Sequence, residues 1–172
     1  MNTSTSFIII LSFFAVIMIS GCIYTKHYDA NGISFNYPSS WEAHAIYDLP
    51  GAQVGLADSG QVEVIIYKKN ISSNSGLENV YNQSLTNHTR TLEKYCYKQI
   101  SSENITVDGV PAYETVYQIG CNNTQTRKKI REVWLEKNGY AYIISCTAIP
   151  PEIYPEKNNG FNMIINSFHV KN

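Results

Sequence analysis

The stretch ITVDGVPA, residues 105–112, contains two short strand-like runs on either side of the pair Asp108-Gly109. An Asp-Gly pair favours the type I′ turn, whose twist matches that of paired strands, so the stretch predicts an antiparallel hairpin. A two-residue turn here places Pro111 opposite Thr106 in a non-hydrogen-bonded pair. Because proline has no N–H to donate, a strand proline is tolerated at such a position. The turn and the proline therefore predict the same register.

Carried outward along both strands, this register places Cys96 opposite Cys121, with Cα atoms roughly 4.5–5.5 Å apart. The sequence therefore predicts a Cys96–Cys121 disulfide, provided that no bulge interrupts the hairpin and that Cys96 does not belong to the end of the preceding helix. A Cys121–Cys146 bridge is the rival pairing, and unpaired thiols are a further alternative. The chain has no CxxC motif, which argues against a redox enzyme or a zinc ribbon.

Most of the remaining chain has the period-two alternation of half-buried strands. The strands predicted outside the hairpin are residues 33–37, 41–47, 52–56, 62–66, 128–136 and 140–147. The pair Asn31-Gly32 precedes the first of these strands. The pair Asn138-Gly139 joins the last two into a second hairpin.

Two segments have the three- and four-residue spacing of amphipathic helices instead. Ser75-Gly76-Leu77-Glu78 fits a capping box, in which the serine caps an amide and the glutamate reaches back. The stripe that follows consists of Leu77, Tyr81, Leu85, His88, Leu92 and Tyr95. A final helix is predicted at residues 155–167. The expected fold class is α+β, with an antiparallel β-sheet flanked by helices.

Two side chains on these elements have both a structural and a functional interpretation. Trp41 is interpreted as a core anchor rather than an exposed ring that stacks on a ligand. His88 lies on the helix stripe and is interpreted as a boundary histidine that packs its ring, in preference to a ligand or catalytic residue.

The leader FIIILSFFAVIMI, residues 7–19, is an apolar run of about 13 residues, shorter than the roughly 20 that span a bilayer as a helix. The tetrapeptide Ile19-Ser20-Gly21-Cys22 that ends it resembles a prokaryotic lipobox, where the signal peptide is cleaved and the cysteine receives lipid. Residues 1–6 depart from the usual pattern because they contain no Lys or Arg. An uncleaved anchor and a freely secreted form are the alternatives.

The leader predicts the domain organisation and the location of the protein. We expect a lipoprotein signal peptide at residues 1–21, a lipid-anchored tether at 22–30 and a folded domain at 31–172. Several acyl chains hold a protein stably on a membrane, whereas one chain is marginal. The expected location is therefore the extracytoplasmic face of the cell membrane, with lipid attached at Cys22.

Composition and motif spacing argue against several function classes. The formal net charge is −1 and no block of like charge occurs, so nucleic acid is not an expected partner. His27, His44, His88 and His169 are scattered, without the spacing of a metal site. The chain has neither a glycine-rich phosphate loop nor a nucleophile elbow. We therefore expect no catalytic residue, metal or cofactor.

Several asparagines lie in N-glycosylation acceptor patterns, which matter in an exported chain if the host glycosylates. They are Asn70, Asn82, Asn87, Asn104 and Asn122. The alternative is that an asparagine-rich composition produces these patterns by chance.

Four short segments together resemble the PsbP-like family, which includes the extrinsic photosystem II protein and prokaryotic relatives, several of them lipoproteins. They are GISFNYPSSW (32–41), VDGVPA (107–112), NGYAY (138–142) and FNMIINSF (161–168). The resemblance implies a PsbP-like α/β/α sandwich. It implies no single activity, since plant relatives help retain ions at a photosystem while a eukaryotic relative of the fold binds a small GTPase.

The expected function is that of a non-catalytic, surface-anchored domain that binds a protein partner or supports a membrane or envelope complex. The alternative is a small-molecule or ion-binding lipoprotein that uses a tyrosine-lined concavity. An enzyme is the third hypothesis and would require perturbed carboxylates or histidines in one cleft.

Overall fold

The computed structural model describes residues 24–71, 76–121 and 127–171. Its strands are β1 (Thr25–Ala30), β2 (Ile33–Pro38), β3 (Glu42–His44), β4 (Ala52–Ala57), β5 (Val62–Asn70), β6 (Lys98–Val107), β7 (Val110–Ile119), β8 (Lys128–Lys137), β9 (Tyr140–Ala148) and β10 (His169–Val170). Its α-helices are α1 (Gly76–Leu92) and α2 (Tyr154–Ser167), and short 3₁₀ turns lie at Glu93–Tyr95 and Pro151–Ile153. Within these ranges no helix has the length and hydrophobicity needed to cross a bilayer.

The strands form two antiparallel sheets. The larger sheet has seven strands in the order β3-β4-β5-β9-β8-β7-β6, and the smaller has the order β1-β2-β10. Helix α1 packs on one face of the large sheet, while α2 and the small sheet cover the other face. The expected α+β class and the sandwich of helices around an antiparallel sheet are both confirmed.

Strand β9 shows why both faces of the large sheet are apolar. Tyr142, Ile144 and Cys146 point into the core beneath α2, whereas Ala141 and Ile143 point towards α1. A strand that is covered on both faces is apolar at successive positions rather than at alternate ones. This accounts for the continuous apolar run of the strand, which lies between β5 and β8.

The predicted Xaa-Gly pairs all form tight hairpin turns. Asn31-Gly32 has φ values of 54° and 74°, Asp108-Gly109 has 51° and 74°, and Asn138-Gly139 has 54° and 77°. Two successive residues with positive φ are what a type I′ turn requires, and Asn, Asp and Gly adopt that conformation most readily.

The long hairpin keeps its predicted register only over part of its length. Pro111 lies opposite Thr106 as expected, but a bulge between Gln99 and Ser101 shifts the pairing by one residue. The prediction that Cys96 and Cys121 face each other as a ladder pair is therefore wrong. The extra residue of the bulge is accommodated without a ladder partner, so every later pair moves out of the original register.

The same two cysteines nevertheless lie at disulfide distance. Strand β6 begins at Lys98, and Cys96 ends the 3₁₀ turn in a left-handed conformation with φ 56°. This conformation brings its Cα to 5.1 Å from that of Cys121, and the structure joins the two sulfurs. Cys146 is a buried free thiol in the core.

The ends of several elements differ from the prediction. Thr25–Ala30, expected as part of a tether, forms β1 because it pairs along its whole length with β2. Tyr95 lies beyond the end of α1 and is 51% exposed, so the apolar stripe of that helix stops before it. The two-residue strand β10 had no separate sequence signal. Ser75 of the predicted capping box lies outside the described residues.

Trp41 is a core residue, as predicted. Its side chain is only 4% exposed and meets Phe161 of α2 edge-on, with ring centroids 5.7 Å apart. A Cβ added at Gly160 would lie 2.7 Å from Cζ2 of the Trp41 ring, so glycine permits this close approach of helix and ring.

Candidate functional site: a tyrosine and glutamate cluster beneath α1

A group of polar and aromatic side chains lies on the α1 face of the large sheet, around the carboxylate of Glu132. Tyr117 on β7 donates its hydroxyl hydrogen to Glu132 Oε1 at 2.9 Å. Trp134, two residues further along β8, donates its indole N–H to Glu132 Oε2 at 3.2 Å. Both carboxylate oxygens therefore accept a hydrogen bond from an aromatic side chain.

Two further rings flank Tyr117. The ring of Tyr97 lies 5.4 Å from that of Tyr117, centroid to centroid, and the ring of His88 on α1 lies 5.3 Å from it. His88 thus packs its ring, as its position on the helix stripe predicted. We call Glu132, Tyr117, Trp134, Tyr97 and His88 the Glu132 cluster.

Two polar atoms of the Glu132 cluster are buried without a partner. The hydroxyl oxygen of Tyr97 and Nδ1 of His88 have no hydrogen-bond partner among the residues that the structure describes. Leaving such a group buried and unpaired costs about 1–3 kcal/mol, so native proteins usually supply a partner for it. These atoms could therefore accept or donate a hydrogen bond to a bound polar molecule.

The electrostatics keep the tyrosines of this face protonated. Burial raises the pKa of Tyr117 far above its usual value, and the negative charge of Glu132 raises it further. Burial also raises the pKa of Tyr97, again with a contribution from Glu132. Burial raises the pKa of Tyr67 on β5 as well, and the charges of Glu63 and Glu132 raise it further. These tyrosines therefore remain hydroxyl donors at neutral pH.

Tyr81 anchors α1 next to this cluster. Its ring stacks on Tyr113 at 4.8 Å and meets Trp134 edge-on at 6.1 Å. Its hydroxyl shares hydrogen bonds with Thr115 Oγ1 and with Ser102 Oγ, the latter at 2.9 Å. Because this hydroxyl has partners, we assign Tyr81 to holding the helix on the sheet rather than to the candidate site.

A second polar network lies on the opposite face, where Arg131 joins the sheet to α2. Arg131 Nε donates to Glu114 Oε2 at 2.7 Å, and its Nη1 donates to Asn162 Oδ1 at 2.6 Å. Both side chains of the Arg131–Glu114 pair are largely buried, at 13% and 12% exposed. A buried charge pair of this kind is costly to break. The charged groups of Arg131 and Glu114 already bond to each other, and Arg131 also bonds to Asn162. This network holds α2 on the large sheet and leaves few hydrogen-bonding groups for a ligand.

The residues that the sequence singled out are not gathered at one site. Cys22 and Asn122 lie outside the described residues. Cys96 and Cys121 join the end of the α1 segment to the end of β7. The acceptor asparagines within the described ranges are all exposed, namely Asn70, Asn82, Asn87 and Asn104.

The histidines are dispersed as well. His27 hydrogen-bonds Asn36 through Nδ1 at 2.8 Å, and His169 contacts Asp108 at 2.7 Å. No group of three or more His, Cys, Asp or Glu side chains that could hold a metal ion occurs in the part of the chain that the structure describes.

Sequence reasoning missed the Glu132 cluster, because its members come from α1, β7, β8 and the residue just before β6. Tyr97 and Tyr117 are separated along the chain and meet only through the hairpin. The available signal was a charged residue, Glu132, on the face of β8 that also bears Ile130 and Trp134. A charge flanked by apolar residues on one strand face indicates a polar group that must find partners in the core.

A family model described as PsbP-like protein matches residues 16–170. The chain belongs to the PsbP-like family. The resemblance seen in the sequence segments is thereby confirmed. The search of curated proteins found no match.

Solved structures share the fold of this PsbP-like chain. Cyanobacterial PsbP (CyanoP) from Synechocystis sp. PCC 6803 is 17% identical, with a TM-score of 0.67 over 88% of this chain and 95% of that one. The Ran-binding protein Mog1p of Saccharomyces cerevisiae is 10% identical, with a TM-score of 0.61 over 86% and 96%. LpqN of Mycobacterium tuberculosis, described as involved in cell envelope biogenesis, is 12% identical, with a TM-score of 0.55 over 92% and 96%. At these identities the comparison shows the fold alone.

Proposed function

We propose that this PsbP-like protein is an exported, lipid-anchored, non-catalytic domain that binds a protein partner or supports a membrane or envelope complex. The observation that carries the proposal is the position of Cys22. It ends an apolar leader and stands only three residues before Thr25, where β1 begins. Lipid at this cysteine would place the whole folded domain next to the outer face of the membrane.

The related folds support a binding role. Mog1p is named as a Ran-binding protein, and LpqN is described as involved in cell envelope biogenesis. A domain of this fold can therefore serve protein recognition or envelope assembly. For the present chain we propose the envelope setting, because it combines the fold with a lipobox-like leader.

Replacement of the anchor residue tests the proposal. Cys22→Ser removes the thiol that would receive lipid, so we expect the mutant to remain an unlipidated precursor with a changed mass and weaker membrane association. Mass spectrometry and membrane fractionation measure both properties. Cys146→Ala is the matched control, since it removes a buried thiol and should leave lipidation intact. An unchanged mass and unchanged fractionation of Cys22→Ser would refute the anchor.

The partner is best sought on the anchored protein itself. Crosslinking of intact cells followed by affinity isolation should yield a specific protein, and the same preparation of Cys22→Ser should yield less of it. If no protein is recovered and a metabolite instead raises the melting temperature, the second candidate function below becomes the better one.

A small-molecule or ion-binding role is the second candidate. It is favoured by the Glu132 cluster, where a carboxylate, three aromatic side chains and two unpaired polar atoms converge. A carboxylate beside aromatic rings suits a small organic cation, which gains from both the negative charge and the ring faces. The buried hydroxyl of Tyr97 offers an additional hydrogen bond.

A thermal-shift series with choline and short alkylamines tests this second role. A ligand at about 100 times its dissociation constant should raise the melting temperature by roughly 5–10 °C. Glu132→Gln keeps the side-chain shape but removes the charge, so it should abolish the shift. Glu63→Gln, at an exposed position on β5, is the matched control. No shift in the native protein, or equal shifts in both variants, would exclude the cluster as a cation site.

A further inference from the structure

The chain enters the folded domain at one defined end of the large sheet. The carbonyl of Tyr24 accepts a hydrogen bond from the Ser39 N–H at 2.9 Å, and Lys26 Nζ donates to Glu42 Oε1 at 2.7 Å. Glu42 begins β3, at one edge of the sheet. Tyr24, the first residue that the structure describes, therefore lies at the end of the sheet where β3 starts.

A single row of paired residues crosses the sheet at this level. It runs Glu42, Ala57, Glu63, Thr147, Ile130, Tyr117 and Gln99, from the β3 edge to the β6 edge. Lys98 lies one residue beyond this row at the start of β6, and Lys128 lies two residues beyond it at the start of β8. The starts of β6 and β8 are thus at the same end of the domain as Tyr24.

This end carries cations that have no acidic partner. Lys94, Lys98 and Lys128 form no salt bridge with any residue that the structure describes. Three other cations of this end are paired with carboxylates, namely Lys26 with Glu42, Arg127 with Glu152, and Lys157 with Asp58 and Glu156. Lys129 instead lies over the ring of Tyr154, 4.1 Å from its centre. The acidic residues near this end that form no ion pair within the described ranges are Glu93 and Glu63, the latter in the row itself. We call Lys94, Lys98, Lys128, Tyr24 and Tyr95 the basic end.

Exposed aromatic rings accompany these cations. Tyr24 is 78% exposed and Tyr95 is 51% exposed. Tyr95 is held at this end because its carbonyl accepts from the Gly120 N–H at 2.7 Å. Lys94 Nζ lies 4.9 Å from the centre of the Tyr95 ring. Tyrosine with neighbouring lysine is the combination that favours the headgroup level of a membrane.

The opposite end of the domain has a different set of charged residues. Lys137 there is paired with Asp108 and Lys171 with Asp29, while Lys68 and Lys69, beside the Asn138-Gly139 turn, lie over the rings of Tyr140 and Trp134. Unpaired, exposed carboxylates at that end include Asp48 and Glu136. The domain is therefore electrically asymmetric along its strands, although its formal net charge is only −1.

We propose that the basic end rests on an anionic lipid surface and holds the domain in one orientation on the membrane. The inference rests on the proposed lipid anchor. From Cys22 to Thr25 the chain reaches at most about 10 Å, so the end that carries Tyr24 cannot move far from the lipid. Each lysine close to an anionic surface strengthens attachment roughly fivefold, and the three unpaired lysines act together.

Lysine labelling of the full-length protein in vesicles tests the orientation. The protein is reconstituted into vesicles of pure phosphatidylcholine or with about 30% phosphatidylglycerol, floated, and acetylated with a water-soluble ester. We expect Lys94, Lys98 and Lys128 to react three- to tenfold more slowly in the anionic vesicles. Lys68, Lys69 and Lys171 should react equally in both. About 0.5 M NaCl should abolish the difference, because it screens the attraction.

Charge reversal supplies the matched comparison. In the double mutant Lys98→Glu/Lys128→Glu, we expect Lys94 to be acetylated equally fast in both kinds of vesicle. The double mutant Lys69→Glu/Lys171→Glu has the same change in net charge, and in it Lys94 should still react more slowly in the anionic vesicles. Equal labelling of both lysine sets in floated protein would overturn the orientation while leaving the anchor intact. Failure of the protein to float at all would overturn the anchor, and this inference with it.

Discussion

Asp108 illustrates how one turn residue serves both local and distant structure. Its positive φ of 51° makes the type I′ turn that the sequence predicts. Its carboxylate also accepts hydrogen bonds from Lys137 Nζ at 2.5 Å, His169 Nδ1 at 2.7 Å and the Val170 N–H at 2.9 Å. The same side chain therefore fastens the C-terminal strand β10 to the hairpin of β6 and β7.

These contacts give Asp108 a defined pH dependence. Burial alone would raise its pKa, but the hydrogen bonds from Lys137, Val170 and His169 outweigh burial, and the pKa lies below its usual value. A carboxylate with a lowered pKa in the folded state stabilises the protein above its unfolded pKa. That contribution is lost as the pH falls through the folded value, here below about pH 4.

Asp108→Asn should therefore destabilise the protein by about 1–3 kcal/mol at neutral pH, because the half-buried Lys137 ammonium loses its charged partner. Asparagine still tolerates the left-handed turn, so the loss reports the ionic contacts rather than the backbone. Urea unfolding at pH 7 and at about pH 3 measures the effect, and the difference between mutant and native protein should shrink at the lower pH.

Asp48→Asn provides the control for this prediction. Asp48 is an exposed loop residue, and its replacement should change stability by less than about 0.5 kcal/mol at either pH. A mutant at Asp108 that unfolds at the same urea concentration as the Asp48 mutant would show that the observed contacts do not stabilise β10.

At the level of secondary-structure elements, the β6–β7 hairpin shows the limit of reasoning from a turn. The turn determines the register near itself, and the pairing holds as far as Ser101 opposite Val116. Beyond that point the bulge and the 3₁₀ turn after α1 decide the geometry. The two cysteines meet because Cys96 adopts a left-handed conformation outside the strand, not because the ladder extends to them.

Removal of this bridge should destabilise the protein because the unfolded chain gains conformational entropy. The disulfide spans a sequence separation of 25 residues. Closing a loop of that size typically contributes about 2–4 kcal/mol, so Cys96→Ser/Cys121→Ser should lower the free energy of unfolding by this amount. Urea denaturation measures it, and non-reducing digestion of the native protein should yield a peptide that links the two cysteines.

Treatment with a reductant distinguishes loss of the disulfide from a change in side-chain packing caused by the two substitutions. Dithiothreitol should weaken the native protein but not the double mutant. Cys146 should contribute nothing to the difference, since burial raises its pKa to about 12 and keeps it a protonated thiol. If native protein and double mutant respond alike to dithiothreitol, or if both cysteines alkylate without reduction, the bridge does not form.

For the whole molecule, the proposed orientation depends on the distance between the anchor and the domain. Thr25–Ala30 is part of the small sheet, and the hydrogen bond from the Ser39 N–H to the Tyr24 carbonyl precedes it, which leaves few residues between Cys22 and the first contact of the domain. A short connection keeps the basic end at a high effective concentration near the lipid surface. A longer one reduces that concentration without changing any contact within the domain.

Insertion of about ten Gly and Ser residues between Ile23 and Tyr24 leaves the Tyr24–Ser39 hydrogen bond in place and should release the domain from the membrane surface. We expect the labelling of Lys94, Lys98 and Lys128 in anionic vesicles to approach that in neutral vesicles, while the melting temperature stays the same. The same insertion after Lys171, at the opposite terminus, is the control and should leave the protection intact. Protection that persists with the long tether would mean that the surface contact does not depend on a short anchor.

The local elements were predictable from the sequence because their signals come from residues that are neighbours along the chain. Strand alternation, helix spacing and the three Xaa-Gly turns predicted most elements, and short family-like segments predicted the sandwich. Only the tertiary structure brought Tyr97, Tyr117 and Glu132 together. It also bonded Val170 to Asp108. It placed Lys98 at the same end of the domain as Tyr24. These contacts depend on the strand order β3-β4-β5-β9-β8-β7-β6, which joins segments far apart in the chain. No local periodicity encodes that order, since a strand shows which residues it buries but not which strand it will pair with.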